Sequence, residues 1–269
     1  YIPVITTLHG TDITLVGKAP AYRSVVAFSI NQSDGITTVS ESLKRDTYTN
    51  FDIKKEIEVI PNFIDFTRFV KLDKEHFKKA IAPNNEKLLI HTSNFRKVKR
   101  VEDTIRIFHQ VKQEVNSKLM LVGDGPERAC AEELARKLNV EKDVMFLGKQ
   151  DAVEELLAIA DLYLMPSESE SFGLAALEAM ACEVPVISSN TGGIPEINIH
   201  GDTGFLSDVG NVDEMALNAL KILSNEDTLK RFKTNSLIQA KKFDIANILP
   251  TYERFYEKVL KDSVQFSKT

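Results

Sequence analysis

The chain has 269 residues, 43% hydrophobic and 27% charged, with a formal net charge of −5. That is the composition of a folded globular protein. The acidic balance argues against a protein built to grip nucleic acid backbones. No run reaches the roughly 18 apolar residues that a membrane span needs, and no signal peptide is evident. Two cysteines, Cys130 and Cys182, lie far apart in helix-like segments. They read as ordinary residues of a reducing compartment rather than as a disulfide framework, and a cytoplasmic location follows.

The first 60 residues alternate strand and helix. VITTLH, GITTVS (35–40) and IEVIPN read as strands, with helices near 20–32 and over SESLKRDTYTNF. The sequence opens already on a strand, which predicts a first α/β domain that is incomplete at its N-terminus. PNFIDFTRF (61–69) and the polar stretch 70–86 form the crossover. From residue 86 the alternation resumes. The apolar runs LLIHTS, KLMLVGDG, VMFLGK, DLYLMPS and VPVISS are separated by VEDTIRIFHQVKQEV (101–115), PERACAEELARKLN (126–139), AVEELLAIA (152–160) and FGLAALEAMAC (172–182). Pro126 is read as the first helical residue of its segment, where the missing N–H costs nothing. Short continuous apolar strands between helices predict a parallel sheet covered on both faces, with ligands at the carboxyl ends of its strands. Helices over 212–223, 226–242 and about 246–261 close the chain. The domains so drawn are 1–66, 67–245 and a C-terminal helix, 246–269, that packs back across the junction.

The stretch ESESFGLAALEAMAC (168–182) holds Glu170 and Glu178, eight positions apart, around what reads as a helix start. Ser171 is a good N-cap, which leaves the amides of Phe172, Gly173 and Leu174 as unpaired donors. A helix N-terminus attracts phosphate, and a glycine lets a ligand approach the backbone. Eight helical residues span about 12 Å, roughly the reach of a nucleotide sugar from hexose to ribose. Glu170 then faces sugar hydroxyls, the amides a diphosphate, and Glu178 the ribose. Taken alone, two glutamates at this spacing are better read as one capping charge and one exposed helix position. The flanking Phe-Gly and the strand-loop-helix setting favour the binding role.

SNFRKVKR (93–100) puts Arg96, Lys97, Lys99 and Arg100 on one loop at the carboxyl edge of the sheet. Cations disfavour a helix N-terminus, so the cluster asks for another purpose; stabilising a departing diphosphate is one. GDGP (123–126) and TGGIPE (191–196) are glycine turns after strands, and a lone G-x-G is a weak signal. Gly148-Lys149-Gln150 ends another strand, where backbone groups can meet a base edge. His9, followed by Gly10, ends the first strand and can face a cleft between domains; the alternative is a buried, satisfied histidine. No His/Cys/Asp cluster has metal-ligand spacing and no G-x-S-x-G is present.

Together, HGTD, SNFRKVKR, GDGP, MPSESESFGLAALEAMAC and TGGIPE resemble the retaining glycosyltransferases of the GT-B fold, family 4, whose signature is the pair Glu170-x7-Glu178. The resemblance covers nearly the whole chain. HGTDITLVG, TTVSESL, IEVIPNFID and SNFRKVKR further resemble the members that join N-acetylglucosamine to L-malate in the bacillithiol pathway. The resemblance implies two Rossmann-like domains with parallel sheets and a UDP-sugar in the second. Glu170 would contact the hexose and Glu178 the ribose. The amides of Phe172, Gly173 and Leu174, with Arg96 and Lys99, would hold the diphosphate, and His9 would line the reaction centre. It also implies no metal cofactor and retention of anomeric configuration by a front-face route. Many members have Gly-Arg where this chain has Ser93-Asn94, so either Arg96 compensates or Asn94 contacts the donor. A small dicarboxylate acceptor asks for cations and hydroxyls, with Arg45, Thr7 and Thr11 as candidates. The family's first-domain glycine-rich loop is not in the sequence, and these 269 residues alone are expected to be inactive. Other readings are a family member with a lipid or glycan acceptor, a nucleotide-sugar epimerase, or a non-catalytic binding module. Homo-oligomerisation stays open.

Overall fold

The computed structural model describes residues 2–10, 13, 20–71 and 75–266, and the chain falls into two compact units. One comprises residues 1–63, 170–172 and 243–269, the other 64–169 and 173–242.

In the first unit, β1 (Ile5–Leu8), β2 (Gly35–Thr38) and β3 (Glu58–Val59) form a parallel sheet in that order. The helices are α1 (Pro20–Gln32), α2 (Glu41–Asn50) and α11 (Ile245–Phe266). Ser40 caps α2 by accepting from the Leu43 amide at 3.0 Å, which satisfies one of the orphan donors of a helix start. α11 lays Ile248, Phe255 and Val259 against Ile60, with Ile5 and Tyr252 beside them. Gly35 sits where a β-carbon would meet Val259 at 2.7 Å and Phe255 at 2.9 Å, so its lack of a side chain lets α11 lie close to β2.

The second unit is a six-stranded parallel sheet in the order β6-β5-β4-β7-β8-β9. Its strands are β4 (Lys87–Thr92), β5 (Ser117–Val122), β6 (Val144–Gly148), β7 (Leu162–Met165), β8 (Val186–Ser189) and β9 (Gly204–Ser207). Its helices are α3 (Glu75–Ile81), α4 (Val101–Glu114), α5 (Arg128–Lys137), α6 (Val153–Ile159), α7 (Leu174–Ala181), α8 (Ile194–Ile197), α9 (Val212–Leu223) and α10 (Glu226–Ala240). Every residue of β7 and β8 is buried, as continuous apolar strands covered on both faces require. The core includes Leu89, Phe108, Leu121, Leu164, Ile222 and Phe232. Phe108 is fully buried, and truncating such a ring costs about 3–5 kcal/mol. The strand order reverses between β4 and β7, and open α/β sheets bind ligands outside the strand ends at that point.

Three elements go beyond the sequence reading. β9 pairs with β8 on the outer edge, the one-turn α8 follows the second glycine turn, and α3 lies inside the polar stretch 70–86. α5 begins at Arg128 with Glu127 as cap. Pro126 therefore precedes the helix instead of opening it, and the Glu127 amide donates to the Phe95 carbonyl at 3.0 Å. At the β5–β6 pairing the register shifts: Leu121 faces Phe146, whereas Val122 faces Gly148. Leu147 is the extra residue of a bulge, and its carbonyl accepts from the Gln150 side chain at 2.6 Å. Among the described residues, no helix is long and apolar enough to cross a membrane.

Candidate functional site

In the second unit the ends of β4, β5 and β6 open on a cavity of about 260 Å³, lined by Thr92, Ser93, Val122, Gly123, Lys149, Gln150, Val153 and Glu178. The loops around it are nested backbone on backbone. A β-carbon at Gly123 would lie 1.7 Å from the Ser93 carbonyl oxygen, and one at Gly125 would lie 2.1 Å from that of Asn94. Only glycine fits either place, and Gly123 also has φ +123°. The amides complete the frame: Ser93 donates to the Val122 carbonyl at 3.0 Å and Gly123 to the Gly148 carbonyl at 2.8 Å. The G-x-G of GDGP thus serves close loop packing. Phe95 is fully buried with φ +39° and anchors the loop from below.

Glu178 reaches the cavity from α7. Burial pushes its carboxyl up to about 7; Arg68 offsets part of that rise and Glu154 adds to it. Arg68 is committed elsewhere. It donates to Glu154 at 3.1 Å and to the Asp151 carbonyl at 3.2 Å, and it is 53% exposed. It therefore acts on Glu178 as a distant, solvent-weakened charge. A carboxylate poised near neutrality in a cavity is a binding-site signature.

The predicted loop cations divide. Arg96 is exposed and Lys99 half-buried, on the short 3-10 turn Lys97–Lys99. Arg100 leaves the cluster: it pairs with the buried Asp103 at 2.6 Å and helps to fix the start of α4. Asn94 is exposed between Ser93 and Phe95. Lys149 lines the cavity beside Gly148, which takes φ +67° at the end of β6.

The start of α7 corrects the sequence reading. The cap is Gly173, with φ +95° and no side-chain bond, and the first helical residue is Leu174. Ser171 does not cap it. In the first unit the Ser40 hydroxyl donates to the Ser171 carbonyl at 2.6 Å, Gly10 packs against the Ser171 side chain, and Phe172 meets Phe243 edge-on at 5.7 Å. Phe172 is thereby buried, at 2% exposure, and lies ahead of the helix. The Gly173 carbonyl accepts from the Ala176 amide at 2.9 Å. The amides that open the helix without intrahelical partners are those of the cap Gly173 and of Leu174 and Ala175, and Leu174 is exposed.

The remaining candidates lie in the first unit. His9 is exposed at the end of β1, which excludes the reading as a buried histidine. Thr7 accepts from the Thr37 hydroxyl at 2.9 Å across the β1–β2 pairing. Arg45 is exposed on α2. Thr11 lies outside the described residues. Glu170 belongs to the first unit and Glu178 to the second. The sequence reading missed Ser93, Thr92 and Val153 in the cavity wall, and missed Arg68 and Glu154 as neighbours of Glu178. The signal for Ser93 was its place directly after a strand at the carboxyl edge.

A family model described as "Glycosyl transferases group 1" matches residues 73–238, and one described as "Glycosyltransferase Family 4" matches residues 1–68. The chain is 45% identical over 263 residues to the N-acetyl-alpha-D-glucosaminyl L-malate synthase of Bacillus anthracis, covering 97% of this chain and 69% of that protein. It is 31% identical to an uncharacterized glycosyltransferase of Methanocaldococcus jannaschii, covering 83% of this chain and 61% of that protein. The chain thus spans about two thirds of the length of these curated relatives. Among solved structures, Anabaena HepE in complex with UDP and glucose matches with a TM-score of 0.85 at 22% identity, over 95% of this chain and 71% of that one. The sucrose-phosphate synthase of Thermosynechococcus elongatus matches with a TM-score of 0.82 at 21% identity, over 96% and 68%.

Proposed function

Because the chain belongs to the family 4 glycosyltransferases of the GT-B fold, we propose that it transfers N-acetylglucosamine from UDP-N-acetylglucosamine to L-malate, with retention and without a metal. The observation that carries this reading is the 45% identity to the Bacillus anthracis synthase over nearly the whole chain.

In this reading residues 67–245 bind the donor, residues 1–66 contribute to the acceptor side, and 246–269 form a helix that returns across the junction. Glu178 accepts from the ribose hydroxyls, and Lys149 and Gln150 flank the base. The Gly173, Leu174 and Ala175 amides, with Arg96 and Lys99, take the diphosphate, where fixed donors and cations stabilise the leaving charge. Asn94 lies beside that group. Glu170 holds the hexose and His9 lines the reacting centre. As the bond from the anomeric carbon to phosphate oxygen breaks, its electron pair stays on the phosphate. The malate hydroxyl oxygen bonds to the same face of the carbon, and its proton passes to the departing phosphate. Arg45 and Thr7, with Thr11, are the acceptor residues. A cytoplasmic location goes with this substrate pair.

The test is UDP release by the full-length protein from UDP-N-acetylglucosamine, with and without L-malate, in EDTA, beside Glu170→Ala. Malate-dependent release that survives EDTA and collapses in the variant is expected. Release indifferent to malate moves the acceptor to another class, a lipid or a glycan, or to an epimerase. A protein that binds no UDP overturns the donor reading.

A further inference from the structure

Ser93 has the polar contacts to be more than a spacer at the end of β4. It lines the cavity shared with Lys149, Gln150 and Glu178. Its hydroxyl oxygen lies 2.8 Å from His91 Nε2 and 3.2 Å from the Phe95 amide nitrogen. The other ring nitrogen, Nδ1, lies 2.8 Å from the Leu164 carbonyl oxygen. A carbonyl has no hydrogen to give, so Nδ1 carries the proton of that bond. His91 is 1% exposed. Burial lowers its pKa to about 4; the Leu164 hydrogen bond opposes the fall and the charge of Lys99 adds to it. At neutral pH the ring is therefore neutral with Nδ1 protonated, and Nε2 is a bare lone pair that can only accept.

The rest is hydrogen-bond arithmetic. A serine hydroxyl has one hydrogen and two lone pairs. Ser93 gives its hydrogen to His91 Nε2 and receives the Phe95 N–H on one lone pair. One lone pair is left. The nested carbonyls of Ser93 and Asn94 against Gly123 and Gly125 hold the loop backbone that carries the hydroxyl.

We infer that Ser93 is a further donor-site residue, locked by buried His91 as a pure hydrogen-bond acceptor, which reads an O–H or N–H group of the nucleoside and does not hold the diphosphate. Phosphate oxygens at neutral pH offer no hydrogen, and a lone pair facing them is repelled. His91 is the positioning residue: it acts through Ser93. The inference rests on the UDP-sugar reading above and deepens it. Glu178, in the same wall, is acceptor-only when ionised, so the cavity selects for a ligand rich in donors, as a ribose diol or a uracil N3–H provides.

The test uses the full-length protein in two independent measurements. Imidazole ¹⁵N NMR is expected to show His91 neutral and protonated on Nδ1 from pH 6 to 8. An Nε2-protonated ring overturns the inference, because Ser93 would then be free to donate. Calorimetry would compare UDP, 2′-deoxy-UDP, 3′-deoxy-UDP and N3-methyl-UDP on the wild type and on Ser93→Ala. The variant should bind UDP about five- to tenfold more weakly, the scale of one lost hydrogen bond. It should also lose, by the same factor, discrimination against one analogue, and that analogue distinguishes ribose from base. Identical discrimination in both proteins, with UDP binding intact, overturns the role of Ser93 alone. A wild type that binds no UDP removes the donor reading itself. Should the variant fail to fold, the tautomer measurement decides.

Discussion

Asp161 and Glu178 lie at opposite ends of the same strand-helix segment. Asp161 stands just before β7, and Glu178 is on α7, which follows the far end of β7. Burial raises the pKa of both, yet their outcomes are opposite. Asp161, 2% exposed, receives Lys78 at 2.6 Å, Lys233 at 2.8 Å and the Leu88 amide at 3.0 Å. With those partners its pKa falls to about 2 against the desolvation. Among the described residues, the charge that favours ionised Glu178 is Arg68, which is itself paired to Glu154, and the Glu178 pKa rises to about 7. The difference teaches that burial alone does not assign a carboxylate its role. A carboxylate whose partners are supplied from within the fold holds elements together, whereas one left short of partners is available to a ligand.

The harshest way to break this comparison is Asp161→Ala. It strands two lysines and a backbone amide, and removing one partner of a buried ion pair costs about 3–5 kcal/mol. The denaturant midpoint of the full-length protein should fall accordingly; an unchanged midpoint would mean that the cluster is merely decorative. Because the folded pKa of Asp161 is depressed, its contribution is present above the unfolded value of 3.8 and disappears as pH falls through about 2. The variant should lack the wild type's loss of stability in that acid window.

Glu178→Gln works in the other direction. A raised folded pKa contributes stability below the unfolded value of 4.5, and that stability is lost as pH rises through about 7. The variant should match the wild type near pH 4 and exceed it at pH 8 by on the order of 3 kcal/mol, the rise from 4.5 to about 7 being worth about 1.4 kcal/mol per pKa unit. Thermal melts at the two pH values check this. A variant less stable than wild type at pH 8 would show that the carboxylate has partners from within the fold after all. The smallest effect belongs to Arg68→Gln. Removing the charge that lowers the Glu178 pKa should move the pH midpoint of UDP affinity upward and weaken binding about two- to fivefold at pH 7, as suits an exposed partner. Calorimetric titrations between pH 6 and 8 would reveal an unmoved midpoint if Arg68 acts only on Glu154.

The parallel sheets were legible in the sequence because strands covered on both faces are unbroken apolar runs: β4, β7 and β8 fall within a residue or two of LLIHTS, DLYLMPS and VPVISS, and β5 stops at Val122, before the glycines of KLMLVGDG. β9 was not legible, since its four residues form an outer edge with a half-buried middle. The cap of α7 was misplaced for a tertiary reason. Ser171 has the chemistry of a cap, but Ser40 and Gly10, more than 130 residues away, hold it. Arg100 joined the loop cluster by adjacency and leaves it for Asp103, an i,i+3 partner that the sequence offered. Glu178 could be singled out by its spacing from Glu170, and Lys149 by its place after a strand. The His91–Ser93 relay could not, because its sense depends on a carbonyl of β7 that no spacing reveals.

The bulge at Leu147 has a consequence for insertions and deletions. Side chains alternate between the faces of a strand, so one extra residue inverts the facing of everything after it. Lys149 and Gln150 owe their approach to the cavity wall to the count of residues from Phe146 as much as to their identities. Removing Leu147 would leave both side chains in the sequence but shift the Gly148 turn that delivers them by one position along β5. Chain length at this strand end is thus a variable in its own right, separable from the identities of the residues around it.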